Sequence, residues 1–451
     1  MMIRTEPAET SVLVSATPES TLTPAASQRT AYQFVADLDY NKHNLLVRQS
    51  IQYQNNTGQN LPEIKLAVPA NEKAGVFSLT SLTVAGDATL TDYALDGVIL
   101  TIQLDKPLPT AGSLSIAIEY NVAPKLEGGI LGYTAKRINF SDWYPFIPPY
   151  DAESGWIIHQ PAEVGEYLVY DDADFDLTLN LVDPAGLVIA ASAEVAPVEL
   201  DQFRVVQNDS RNITFSVSDQ YSVVRNTTGG ITVKGYVFKG DETAGQASVD
   251  YTASAIQLYS ELFGVPYPHQ TMTLVESDFP DGMEYDGLYY LSDFYFKNYD
   301  GSFQNYLALL SVHETAHQWW FGIVGNDQAL EPWLDESVAT YSEYLYIEHY
   351  YPELTNWWWD YRVATYKPSG RVNLTIYDQS DLRVYINAVY LQGAVFLDQL
   401  RQALGDDAFF TGLQSYTSTY NHKLATWEDF IKIMTAEPSD AIKTLLQEYF
   451  K

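Results

Sequence analysis

The stretch His313-Glu-Thr-Ala-His-Gln-Trp-Trp320 constrains this chain more than any other. On an α-helix, residues four apart stand about 6 Å apart along the axis and only roughly 40° apart around it. His313 and His317 can therefore turn both imidazoles toward one small ion, while Glu314 points elsewhere and is free to act as a base. Eighteen residues separate His317 from Glu336, which sits in a second helix-like run, Trp333-Leu-Asp-Glu-Ser-Val-Ala-Thr-Tyr341. A tetrahedral catalytic zinc takes three protein ligands and keeps one position open, and two histidines with a glutamate are one of the known sets. The fold must therefore bring two helices together so that His313, His317 and Glu336 hold one catalytic Zn2+.

With only 7 histidines in 451 residues, chance rarely supplies this motif, still less with the downstream glutamate in its Trp-Leu-x-Glu-x-x-Ala-x-Tyr frame. The pattern is that of zinc peptidases. Composition narrows the setting. Apolar residues make up 46% of the chain, with 34 tyrosines and 9 tryptophans, which marks a folded protein with ample core for two or three domains. A net charge of −33 argues against binding nucleic acid or an anionic membrane, both of which need a positive footprint. It favours cationic groups such as the free α-amine of a peptide. Without cysteine the chain has neither disulfides nor thiol chemistry. No apolar run is long enough to span a bilayer, and the N-terminus lacks the apolar core of a signal peptide.

Three segments are expected. Residues 1–30 are rich in Thr, Ser, Pro and Ala and read as a flexible linker, of a kind that tethers an exported protein to a surface. An extracellular or cell-surface location follows from that reading. Residues 31–224 show period-two runs broken by Gly, Pro and Asn, among them Leu46–Tyr53, Glu63–Val68, Leu114–Tyr120 and Phe175–Leu181. They predict an antiparallel, β-sandwich-like domain. Within it, Asn139–Tyr150 carries prolines that forbid regular structure and aromatics that must cover something, either the sheet or the wall of a cleft. Residues 225–451 begin with a few strands and turn helical. Helices are expected over Ala247–Phe263, from about Phe303 to Trp320, and over Tyr390–Leu404, Trp427–Met434 and Ala441–Phe450. The fold class is multidomain α+β, with the metal cleft where the two halves meet.

The zinc motif with its spaced glutamate is similar to that of the gluzincin aminopeptidases, the family of membrane alanyl aminopeptidase and leukotriene hydrolase. The resemblance extends to Gly282-Met-Glu-Tyr285, about thirty residues upstream, and to Ala388-Val-Tyr-Leu-Gln-Gly393. It implies a thermolysin-like catalytic domain acting on peptides with a free N-terminus. Glu314 would be the catalytic base, Tyr390 the donor to the oxyanion, and Glu284 the grip on the α-amine. Gly282, Met283 and Tyr385 would contact substrate. The chain departs from the family at Asp281, Gly282 and Tyr285, which stand where the family has Gly, Ala and Asn. A second amine-binding acid is left unassigned in the β-domain, where Asp142-Trp-Tyr-Pro-Phe146 stands in the place of a family motif. The large C-terminal helical domain of many relatives has no counterpart, so an open cleft is expected. An open-cleft endopeptidase and a surface binding protein with a vestigial metal lobe are the alternatives.

Overall fold

Alternating burial builds the first half. The computed structural model describes residues 29–435 and 439–450; the expected linker, apart from Arg29 and Thr30, lies outside them. In Thr30–Asp39 and Asn44–Gln54 every second side chain is buried, as one covered sheet face requires. These strands lie in a seven-stranded sheet ordered Val195–Pro197, Gln202–Ser210, Ala173–Val182, Thr30–Asp39, Asn44–Gln54, Ser113–Val122, Phe77–Gly86. A three-stranded sheet (Leu61–Ala67, Ile99–Leu108, Leu90–Asp96), a five-stranded one that includes Ile138–Phe140 and Phe215–Ser218, and a two-stranded one (Tyr150–Asp151, Gly155–Trp156) complete the β-half. The aromatic-proline stretch packs beneath them. Trp143 is fully buried against Phe34, with ring centroids 4.9 Å apart, and its indole donates to the Ile213 carbonyl at 3.1 Å.

The sheet that carries the site runs Tyr221–Thr228, Ile231–Phe238, Thr271–Ser277, Leu288–Ser292, Gly282–Tyr285, so its first strand spans residue 224. Helix Glu242–Leu262 covers it, and packed both on that helix and on strands Gly282–Tyr285 and Leu288–Ser292 lies Tyr306–Ala316, the helix bearing the zinc motif. Helix Trp333–Tyr350 packs across the latter, and Gly393–Leu404, Asp406–Thr419, Trp427–Thr435 and Asp440–Phe450 close the lobe. A β-domain followed by an α/β and then helical lobe is the expected class, but the β-domain is not wholly antiparallel: Thr30–Asp39 pairs with Ala173–Val182 in parallel.

Buried polar contacts fix the two halves to each other. The Arg211 guanidinium, from the β-half, donates to the carbonyls of Gly322 (3.1 Å) and Lys423 (2.9 Å). Its backbone N–H donates to Asp286 at 2.9 Å. Unmade bonds to a buried guanidinium are expensive, so this contact holds the cleft walls in one register.

Candidate metal centre and cleft

The metal helix begins at a cap in which Asn305 Oδ1 accepts from the Ala308 N–H at 3.1 Å. It ends earlier than the sequence pattern suggests, at Ala316, because the chain tightens there: Gln318 and Trp319 donate to the carbonyls of Thr315 and Ala316. His317 is the C-terminal cap and still keeps its helical relation to His313. The two Nε2 atoms stand 3.1 Å apart, and each is 3.4 Å from Glu336 Oε2. That carboxylate oxygen is buried without a hydrogen-bond partner among the described residues. Three donors of the type zinc prefers thus converge within 4.8 Å of one another, so the residues fit the ion.

The outer ring nitrogens explain why the inner ones are free. His313 Nδ1 lies 3.0 Å from Glu343 Oε1, and His317 Nδ1 lies 3.1 Å from the Trp320 carbonyl. Both partners accept, so the proton sits on Nδ1 and Nε2 keeps its lone pair for a metal. Glu343 is itself held by Trp358 Nε1 at 2.9 Å and by Arg362 Nε and Nη2 at 3.0 and 2.9 Å. Burial pushes the Glu343 carboxyl up, but Arg362 and His313 outweigh it and hold it down at about 2. Outer partners of this kind are worth 10- to 100-fold in metal affinity. Glu343→Gln is accordingly expected to weaken zinc binding by about that factor in a competition titration with a chromophoric chelator. An unchanged affinity would show that Glu343 only fills space.

Glu314 leaves the same helix on another side. Its Oε2 is buried without a partner, and its carboxylate lies close to Glu284 and His317, with one atom from each of the three within 4.8 Å. Burial drives the Glu314 carboxyl up to about 8 against the pull of the two imidazoles. Space for it depends on Gly282, where a Cβ would stand 2.1 Å from Glu314 Oε1. Gly282 and Glu284 belong to the edge strand Gly282–Tyr285, which pairs antiparallel with Leu288–Ser292 and leaves its other side unpaired. Gln318, directly after the second histidine, ties that strand to the metal helix. Its Oε1 accepts from the Gly287 N–H at 2.8 Å and its Nε2 donates to the Tyr285 carbonyl at 3.0 Å.

Tyr390 lies in a π-helical turn, Asn387–Gln392, a feature often found at functional sites. Its hydroxyl donates to Glu336 Oε1 at 2.5 Å and its ring lies parallel to His313. Tyr385 is buried beside it, and its hydroxyl has no hydrogen-bond partner among the described residues. A cleft of about 540 Å³ brings His313, His317, Glu336, Glu314, Glu284, Gly282 and Tyr390 together. Met283 lies outside it, facing a smaller cavity behind Glu284. Sequence reasoning did not single out Glu166. It lines the cleft opposite Glu284, and burial together with Glu284, Glu336 and Asp335 pushes its carboxyl well up. Its segment has no regular structure, so no periodicity marks it. The other histidines take no part: His159 pairs with Asp327, His269 with Asp286 and His422 with Asp172, while His43 stacks on Tyr133 and His349 meets Tyr350 edge-on.

Known proteins are similar to this chain. Residues 247–449 match the model of the peptidase family M1 domain. Aminopeptidase M1-D of Oryza sativa subsp. japonica is 25% identical over 298 residues, covering 62% of this chain and 34% of that protein. Endoplasmic reticulum aminopeptidase 1 of Homo sapiens is 28% identical over 261 residues, or 54% and 28% of the two chains. Aminopeptidase N of Lactobacillus helveticus is 26% identical over 303 residues, or 62% and 36%. The matches thus span about a third of the length of these relatives. An M1 zinc metallopeptidase from Deinococcus radiodurans superposes with a TM-score of 0.68 over 94% of each chain, at 16% identity. At that identity the likeness is one of fold.

Proposed function

We propose, from the match of residues 247–449 to the model of the peptidase family M1 domain, that this chain is a zinc-dependent aminopeptidase that removes the N-terminal residue from peptides. The observation that carries this reading is Glu284: a buried carboxylate at an unpaired strand edge, its oxygen within 4.8 Å of ligand atoms of Glu314 and His317. A substrate α-amine held there has its first peptide bond, and no later one, beside the base and the metal ligands.

When bound by His313, His317 and Glu336, zinc supplies Lewis acidity that acidifies a water molecule and polarises a carbonyl. Glu314 accepts the proton of the attacking water and then delivers it to the leaving amine. Tyr390 turns its hydroxyl from Glu336 to the developing oxyanion. Glu284 and Glu166 together bind the ammonium, which gives the second amine-binding acid a candidate. The free edge of Gly282 and Met283 pairs with substrate backbone, and Tyr385 completes the wall beside the amine.

No helix among the described residues is long and apolar enough to cross a membrane. The Thr/Ser/Pro-rich composition of residues 1–30 supports attachment of an extracellular enzyme to a surface through that segment.

The test is one peptide offered with a free and with an acetylated N-terminus, with and without a chelator. Stepwise shortening of the free form alone, lost on chelation and restored by zinc, is the expected result. Internal cleavage of the acetylated form would favour the open-cleft endopeptidase instead.

A further inference from the structure

We propose that the cavity behind Glu166 and Glu284 receives the side chain of the substrate's first residue and selects lysine or arginine through Asp142. This inference rests on the aminopeptidase reading above.

The cavity measures about 150 Å³, the liquid volume of about five water molecules, which suits one long unbranched side chain. It shares Gly165, Glu166 and Glu284 with the metal cleft, so it opens at the point where the α-amine is held. A first residue with its amine on those acids and its carbonyl toward the metal ligands has its third substituent at this opening. Met283, Leu168 and Phe321 line the cavity and give an aliphatic stem apolar cover. Away from the metal, Asp142 lines both this cavity and the next one outward, which reaches the exposed Glu72 and Lys73.

Asp142 is set up to meet a cation. Among the described residues no lysine or arginine pairs with it; Lys73, the nearest along the outer cavity, pairs with Glu127. Its oxygens accept from the hydroxyls of Tyr170 in the β-half and Tyr285 on the edge strand, the latter at 3.0 Å. A carboxylate offers about four lone-pair positions, so two remain for a guanidinium or ammonium. Asp142 also holds a left-handed backbone, φ +54°, of the kind that persists where surrounding structure over-determines it. Burial raises its carboxyl to about 6 against the two tyrosines. Tyr285 stands where the resembling family has an asparagine, so this arrangement belongs to the present chain.

The zinc-loaded full chain should be assayed on aminoacyl fluorogenic amides of arginine, citrulline, lysine, norleucine and leucine. A charged hydrogen bond contributes about 1.5–3 kcal/mol. The expected kcat/KM ratios, arginine over citrulline and lysine over norleucine, are therefore roughly 10- to 150-fold. Asp142→Asn should bring both ratios close to one. Turnover of leucine with ratios near one in the unmodified chain would overturn the inference and leave the aminopeptidase reading intact. Turnover of none of the five would overturn both.

Discussion

Glu314→Gln is expected to lower kcat by about 10²- to 10⁴-fold while the protein retains its full zinc content. The factor is that of a positioned general base. Glutamine keeps the shape of the side chain but cannot take a proton from water. The metal should remain because Glu314 supplies no ligand: the inner nitrogens of His313 and His317 converge on Glu336 Oε2, and none of those contacts involves residue 314. The amide should also fit, since Gly282 leaves open the space into which Glu314 Oε1 projects. Zinc content by elemental analysis alongside steady-state kinetics separates the two effects. Turnover within a fewfold of the unmodified enzyme would dismiss Glu314 as the base, and loss of zinc would make it a structural part of the centre.

The ligands were legible because their geometry is written in local spacing. Four residues on a helix fix the relation of His313 to His317 wherever the helix goes, and the eighteen-residue gap to Glu336 fits a second helix packed on the first. What holds those ligands was not legible. Glu343 reaches the His313 ring from another turn of the second ligand helix, and Trp358 and Arg362 hold Glu343 from the segment beyond it. A triple-tryptophan run does not reveal which indole donates to a carboxylate. Glu166 was hidden for a different reason: it lies on irregular backbone, positioned by tertiary packing alone. Strand Leu90–Asp96 escaped because most of its side chains are exposed on both faces, so the alternation that marks a half-buried strand is missing. The stretch Asn139–Tyr150 was legible in part. Its aromatics do pack beneath the sheet, but that Asp142 would turn toward the catalytic half could not be read from residue types.

Glu284→Ala is expected to lower kcat/KM on free-amine peptides by roughly 30- to several-thousand-fold, the cost of removing one side of a buried charge pair. The effect should be confined to substrates that carry the ammonium. An N-acetylated peptide makes no ion pair at that point, so whatever slow cleavage it undergoes should change little, and the ratio of the two rates is the informative quantity. Equal losses on both would mean that the substitution disturbs the metal helix, to which Gln318 ties the same strand. Glu166 sharpens the test. It faces the same space from the β-half, and two carboxylates on one ammonium share its charge. Removing either alone therefore leaves a partner behind. The two substitutions should be non-additive, the doubly substituted protein losing more discrimination for the free amine than the product of the single losses. If Glu166→Ala instead left the preference for a free amine untouched, recognition would fall to Glu284 alone, and the β-half would serve only as a wall of the cleft.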